Sequence, residues 1–138
     1  MIRKGITLEV AENRIQKANL AFPDAFVINY ESLVQHLTLP DANDRHVLAA
    51  AIKSNANIIV TNNLKDFTEE YLDTYGLKAK SADDFLTDII DLNPDLAIKA
   101  FREMVLNRKN PNMDEYEVLE SLRKAGLDDT ANYFHALL

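Results

Sequence analysis

The sequence contains no cysteine and has fewer basic than acidic residues, and both shortages narrow the classes of function. Without cysteine, disulfide frameworks and thiolate zinc sites are excluded. The 15 Lys and Arg residues are outnumbered by 22 Asp and Glu residues, which gives a net charge of -7. No broad basic face for nucleic acid or anionic lipid is therefore expected. Contact with nucleic acid then requires a local basic patch or a bound cation.

Long apolar runs are also missing. No stretch is long enough to span a bilayer, and no signal-peptide pattern follows Met1. We therefore expect a soluble cytoplasmic protein with no membrane partner. The 138 residues are 47% hydrophobic and 27% charged, which is an ordinary globular composition. This length fits one domain, or one domain with a small appendage.

Strand and helix signals alternate along the first two thirds of the chain, which favours an α/β fold with a parallel sheet flanked by helices. Short apolar runs predict strands at 25–28, 58–61 and 77–79, and the run at 58–61 is the strongest. After residue 92 only helical signals remain. We therefore expect part of an α/β domain over residues 1–92 and an all-helical appendage over residues 93–138.

Acidic side chains flank the strongest strand signal. Asp41 and Asp44 precede a helix that leads into this strand, and Asp66 follows the strand. A helix that precedes a parallel strand runs antiparallel to it, so Asp44 and Asp66 should lie at the same edge of the sheet, where such sheets bind ligands. Thr61 and Asn62 are expected nearby. Carboxylates grouped in this way suit Mg²⁺ or Mn²⁺, and such an ion can activate water for attack on a phosphodiester.

Each of these aspartates also has a purely structural explanation. Asp44 in the first turn of a helix is stabilised by the helix dipole, and Asp66 can satisfy the amides of a turn. Residues 23–92 hold five basic and twelve acidic side chains, a balance that also fits a solvated acidic surface. By themselves, two aspartates do not define an enzyme.

Two longer segments resemble a known family. Residues 39–52, which read LPDANDRHVLAAAI, and residues 58–67, which read IIVTNNLKDF, are similar to the C-terminal half of a PIN domain of the VapC-like bacterial toxin branch. The tail from residue 110 to residue 127 resembles the helical tail of that branch. The resemblance implies an Mg²⁺-dependent ribonuclease, often a toxin neutralised by a cognate antitoxin. Asp44 and Asp66 match the third and fourth acidic positions of the family, which are catalytic and bind the metal.

The resemblance also has a gap. PIN domains open with a strand that ends in a catalytic Asp, followed by a second acid, and the sequence from Met1 onward has no counterpart of either. We therefore expect weak metal binding, bare apolar faces on the 58–60 strand and the 49–52 helix, and either a homo-oligomer or a complementing N-terminal fragment. Two alternatives stay open. One is a non-catalytic PIN remnant that acts as a protein-binding or antitoxin-like module, and the other is a PIN-like DNA nuclease.

Overall fold

The computed structural model describes residues 7–109 and 111–138, where it contains eight α-helices and two short β-strands. None of the described helices combines the length and the apolar composition that a bilayer span requires. In chain order the elements are α1 (Leu8–Ala21), α2 (Glu31–Val34), α3 (Arg45–Lys53), β1 (Ile58–Val60), α4 (Glu69–Asp73), β2 (Lys78–Lys80), α5 (Ala82–Leu92), α6 (Pro94–Leu106), α7 (Glu115–Lys124) and α8 (Asp128–Leu137).

The two strands form a parallel sheet, in which Ile58 lies opposite Lys78 and Val60 opposite Lys80. The connection between them contains α4, which packs on β2. Parallel strands need such a crossover, and the buried side chains of Leu72 and Leu77 hold it in place. The prediction of a partial parallel sheet flanked by helices, with a helical C-terminal part, is thereby confirmed.

Side-chain hydrogen bonds cap the starts of several helices. The Thr7 hydroxyl accepts a hydrogen bond from the Val10 amide at 3.2 Å, and the Ser81 hydroxyl accepts one from the Asp84 amide at 3.1 Å. Asn93, followed by proline at the first helical position, caps α6. Such a side chain satisfies one of the amides that a helix start leaves unpaired.

The chain divides into two compact units, one ending at Ala56 and the other beginning at Asn57. In the first unit, α2 packs on α3. In the second unit, α5 to α8 pack on one another beside the two strands. The predicted boundary after residue 92 is not tested by this division and stays a prediction.

The strand predicted at residues 25–28 does not form, which corrects that expectation. These residues follow a turn at Pro23 and Asp24 and have no strand pairing. Phe26 is 66% exposed and Ile28 is 57% exposed. An apolar, β-branched run becomes a strand only where a neighbouring strand completes its backbone hydrogen bonds, and the described sheet consists of β1 and β2 alone.

The expected bare faces on β1 and α3 are mostly absent. Ile59 is 4% exposed and Ala49 is fully buried, so the expectation of open apolar surface is wrong at these two residues. Val60 is 44% exposed, so β1 is not covered on both sides either. Apolar side chains of this size rarely stay in water when neighbouring chain can cover them.

The C-terminal helices share an apolar core, as the spacing of their apolar residues predicts. The Phe101 and Phe134 rings stack with centroids 4.6 Å apart, and they join α6 to α8. Leu119 of α7 is 1% exposed. The buried members of this core are Ile98, Phe101, Val105, Val118, Leu119 and Ala131.

A carboxylate on α5 caps the N-terminus of α8. The Asp83 carboxylate accepts hydrogen bonds from the Asp129 amide at 3.0 Å, the Thr130 amide at 2.8 Å and the Thr130 hydroxyl at 2.7 Å. Burial raises the pKa of Asp83, but these hydrogen bonds from Thr130 and Asp129 outweigh burial and hold the pKa below its ordinary value. Asp83 thus supplies the cap that α8 lacks from its own chain segment.

Replacing Asp83 should loosen the C-terminal helices. Asp83→Ala leaves three donors without their acceptor, and we expect a loss of roughly 1–3 kcal/mol in the free energy of unfolding. Because the folded pKa is lowered, this contribution is present above the ordinary pKa of 3.8 and is lost as the pH falls below it. Urea unfolding at neutral and acidic pH measures both effects. The exposed neighbour Asp84 provides the matched control Asp84→Ala, and equal losses for the two variants would contradict this role of Asp83.

Candidate functional site

A short turn precedes α3 and carries the first predicted site residues. The Asp41 side chain accepts a hydrogen bond from the Asn43 amide at 2.9 Å, and the Asp44 amide donates to the Asp41 carbonyl at 3.1 Å. The Arg45 Nε donates to the Ala42 carbonyl at 3.0 Å. These hydrogen bonds hold the residues from Asp41 to Asp44 as a 3₁₀ turn that continues directly into α3.

The side chain of Asp44 stands out within this turn. Its Oδ2 atom is buried and accepts no hydrogen bond, and among the described residues no other buried side-chain nitrogen or oxygen lacks a partner. A buried acceptor without a partner costs about 1–3 kcal/mol. A cation is a partner that would satisfy this oxygen, so the Asp44 carboxylate fits the role of a metal ligand.

The end of β1 carries the other predicted residues. The Thr61 amide donates to the Lys80 carbonyl at 2.9 Å, and the Thr61 hydroxyl accepts from the Asn63 amide at 3.0 Å. Asn62 between them is exposed. Thr61 therefore ends the strand and turns the chain.

Asp66 follows in a 3₁₀ turn over Leu64–Asp66, where its amide donates to the Asn63 carbonyl at 3.0 Å. Its side chain is half-buried, and the next residue, Phe67, is 4% exposed. The buried ring of Phe67 anchors this turn after the strand. Its neighbour Asp66 is thus carried on an ordered segment.

Asp41 and Asp44 belong to the first compact unit, whereas Thr61, Asn62 and Asp66 belong to the second. Since each unit is described by itself, the convergence of Asp44 and Asp66 on one crevice stays a prediction. Within residues 7–109 and 111–138, no group of three or more His, Asp or Glu side chains is arranged to hold a metal ion. The chain therefore supplies a fitting carboxylate but not a complete set of ligands in its described part.

Sequence reasoning did not single out the residues that hold the Asp44 turn. Asn43 contributes its amide, and Arg45 contributes its guanidinium to a backbone carbonyl. A signal was present, because Asp followed two residues later by a free amide is typical of an Asx turn at a helix start. The role of Arg45 is not visible in the sequence, since an arginine at that position equally suits solvent.

Comparison with known proteins identifies the family. Residues 1–65 match the family model of the PIN domain, and residues 82–136 match that of the VapC50 C-terminal domain. Asp44 lies inside the first match and Asp66 lies one residue beyond it. The two matches define a PIN-domain protein with a VapC-type helical C-terminal part.

A curated relative from Mycobacterium tuberculosis (strain ATCC 25618 / H37Rv), described as "Putative ribonuclease VapC50", is 37% identical over 98 residues. The aligned region covers 71% of this chain and 57% of the relative, so the chain spans little more than half the length of this relative. No solved structure matches significantly. The chain belongs to the VapC-like PIN-domain proteins, as the two sequence segments indicate.

A divalent cation should stabilise the protein through Asp44. A cation that binds only the folded state raises the free energy of unfolding. The increase is about 1.4 kcal/mol at a cation concentration about ten times Kd. Thermal unfolding with and without Mn²⁺ measures this, and we expect a rise in Tm for the wild type that is lost in Asp44→Asn. Asp73→Asn, an exposed aspartate on α4, is the control and should respond as the wild type does. An Mn²⁺ response that survives in Asp44→Asn would remove Asp44 from the metal site.

Proposed function

We propose that this chain is a PIN-type, divalent-metal-dependent ribonuclease, or the part of one that carries Asp44 and Asp66, and that it acts as the toxin of a toxin–antitoxin pair in the cytoplasm. The observation that carries the proposal is the buried, unpartnered Oδ2 atom of Asp44. An oxygen that is costly to bury without a partner, at the position matching a family acid, favours a cation site over a helix cap.

The ion in this proposal is Mg²⁺ or Mn²⁺. Both prefer oxygen ligands and keep several waters when few carboxylates hold them. Such an ion supplies charge stabilisation for a phosphodiester and lowers the pKa of a bound water. Asp44 and Asp66 hold the ion, the Asp41 turn fixes the backbone of Asp44, and the Thr61–Asn63 contact fixes the segment that leads to Asp66.

Two carboxylates are few for a nuclease. Precise orientation of a nucleophile contributes a large share of an enzymatic rate, and two fixed ligands leave the ion and its water loosely placed. The activity of the whole protein is therefore proposed to need the first catalytic Asp and the second acid of the family from a complementing N-terminal fragment. The 138-residue chain by itself should bind metal weakly.

An alternative function is a non-catalytic PIN remnant that binds another protein, in the manner of an antitoxin-like module. Exposed apolar side chains in the last turn of α1 and in the segment between α1 and α2 favour it, because such residues often mark interaction sites. Leu20 is 84%, Phe22 is 67% and Phe26 is 66% exposed. In the ribonuclease proposal the same residues are available to a cognate antitoxin or to a second copy of the chain.

Cleavage of single-stranded RNA in Mg²⁺ or Mn²⁺ tests the ribonuclease proposal. The 138-residue chain alone should be slow or inactive. Joining it to any strand–Asp segment encoded upstream should restore cleavage. In this joined protein, Asp44→Asn and Asp66→Asn should abolish cleavage, whereas Asp73→Asn should not. Single-stranded DNA of the same sequence serves as the second substrate, and preferential cleavage of DNA would favour the PIN-like DNA nuclease.

The absence of any upstream strand–Asp segment, together with an inactive chain that retains binding to a partner protein, would favour the non-catalytic module instead. Robust cleavage by the 138-residue chain alone, abolished by Asp44→Asn, would show that the first catalytic Asp and the second acid of the family are dispensable.

The same exposed apolar residues predict self-association. Closing an exposed apolar surface by two-fold pairing is the commonest route to a stable oligomer. Light scattering at micromolar concentration should therefore report a dimer or larger species, and Phe26→Asp should shift it toward monomer by placing a charge in the interface. Leu96→Asp, at an apolar residue of the other unit that is 60% exposed, is the control. A compact monomer of the wild type would refute the prediction.

A further inference from the structure

A groove between the end of α6 and the start of α7 has no assigned role. Its volume is about 640 Å³, and its apolar floor includes Val105 and Met113. Its rim carries Arg102, Arg108 and the ring of Tyr116, which is 60% exposed. An arginine-lined groove with an exposed aromatic ring combines the two features by which proteins hold single-stranded nucleic acid.

The groove is lined by two basic and two acidic side chains, and its basic residues come from a segment that is less acidic than the chain as a whole. Residues 99–109 contain four basic side chains and one acidic side chain, in a protein of net charge -7. This segment supplies the basic side chains that contact with nucleic acid requires in an acidic protein, and its Arg102 and Arg108 line the groove. Its basic members are Lys99, Arg102, Arg108 and Lys109.

The acidic residues on the groove are already engaged. The Asp114 carboxylate accepts a hydrogen bond from the Glu117 amide at 2.8 Å as part of a capping box. The Glu115 carboxylate lies 3.6 Å from the Arg102 guanidinium. Arg108 forms no ion pair with the described residues and is exposed, so its guanidinium is available for a phosphate.

Tyr116 presents a ring face with little support from the protein. Its one ring contact in the described structure is an edge-on approach to His135, with centroids 5.8 Å apart. An edge-on contact leaves ring surface open for a base to stack on, and stacking of this kind tolerates any base.

From this juxtaposition we infer that the α6–α7 groove binds single-stranded RNA, with Arg108 at a backbone phosphate and Tyr116 stacked on an unpaired base. The inference rests on the proposed ribonuclease function and deepens it, because it gives the substrate strand a binding surface on the helical C-terminal part of the chain.

RNA binding is measured in EDTA, where cleavage cannot occur, with a fluorescent oligouridine about ten nucleotides long. Tyr116→Leu should weaken binding roughly tenfold, because the aliphatic side chain keeps apolar bulk but offers no ring, whereas Tyr116→Phe should bind as the wild type does. Arg108→Gln should weaken binding and reduce the slope of log affinity against log salt by about 0.7, as expected for one lost phosphate contact to a single strand. A duplex RNA of equal length should bind more weakly, since its bases are not open to stacking.

Lys124→Gln is the charge-matched control. Lys124 is exposed in the last turn of α7, about 12 Å along the helix from Tyr116 at 1.5 Å per residue, and its loss should leave affinity unchanged. Because no metal is available in EDTA, this binding is measured without cleavage, so failure of the nuclease proposal and failure of the groove are separately visible. The inference would be overturned if no RNA binding were detected. It would also be overturned if neither Arg108→Gln nor Tyr116→Leu changed the affinity for RNA. A lower Tm for Arg108→Gln without any change in affinity would assign Arg108 to stabilising the end of α6 instead.

Discussion

The hydrogen bonds that converge on the Asp83 carboxylate determine how the second compact unit is held together. They join the first turn of α5 to the first turn of α8, 46 and 47 residues later in the chain. Since α5 begins directly after β2, this carboxylate ties the end of the sheet to the last helix. The Tyr133 hydroxyl donates to Asp91 further along the same two helices, so polar contacts fix the register in which α8 covers Phe101 and its neighbours.

Because α8 is fixed in this way, the other C-terminal helices can pack with ordinary apolar side chains. Ala131 of α8 is fully buried, and Phe134 stacks on Phe101 of α6. The α6–α7 corner then lies at the surface with its basic residues outward. A net charge of -7 does not prevent a polyanion from approaching such a corner, since charges more than about 8 Å away are largely screened at physiological ionic strength.

Local signals in the sequence were sufficient for most of the helices. Thr7, Ser81 and Asn93 are residue types that favour helix starts, and they cap α1, α5 and α6. Gly126 follows α7 with the positive φ of 86° that glycine tolerates. The sheet was less predictable, because pairing depends on residues far apart in the chain. The 58–60 strand formed and the 25–28 run did not, although both are apolar and β-branched. For the same reason neither the contact from Asp83 to Thr130 nor the groove beside Tyr116 could be predicted from spacing.

The candidate site shows where sequence reasoning reaches its limit. Asp44, Asp83 and Asp114 all stand at or near the start of a helix, and in the sequence each has the same structural explanation. The structure separates them by their hydrogen bonds. Asp114 caps its own helix and Asp83 caps a distant one, so helix stability accounts for both.

Asp44 differs because its buried Oδ2 accepts no hydrogen bond. The turn that carries it is nevertheless well held, through Asp41 and Arg45. The backbone of Asp44 is therefore fixed while its carboxylate oxygen has no partner, and this lowers the stability of the folded protein locally. Such a cost is typical of functional sites, where the missing partner is a ligand. The unsatisfied oxygen, which spacing alone does not reveal, therefore distinguishes Asp44 from the structural aspartates and supports its proposed role as a metal ligand.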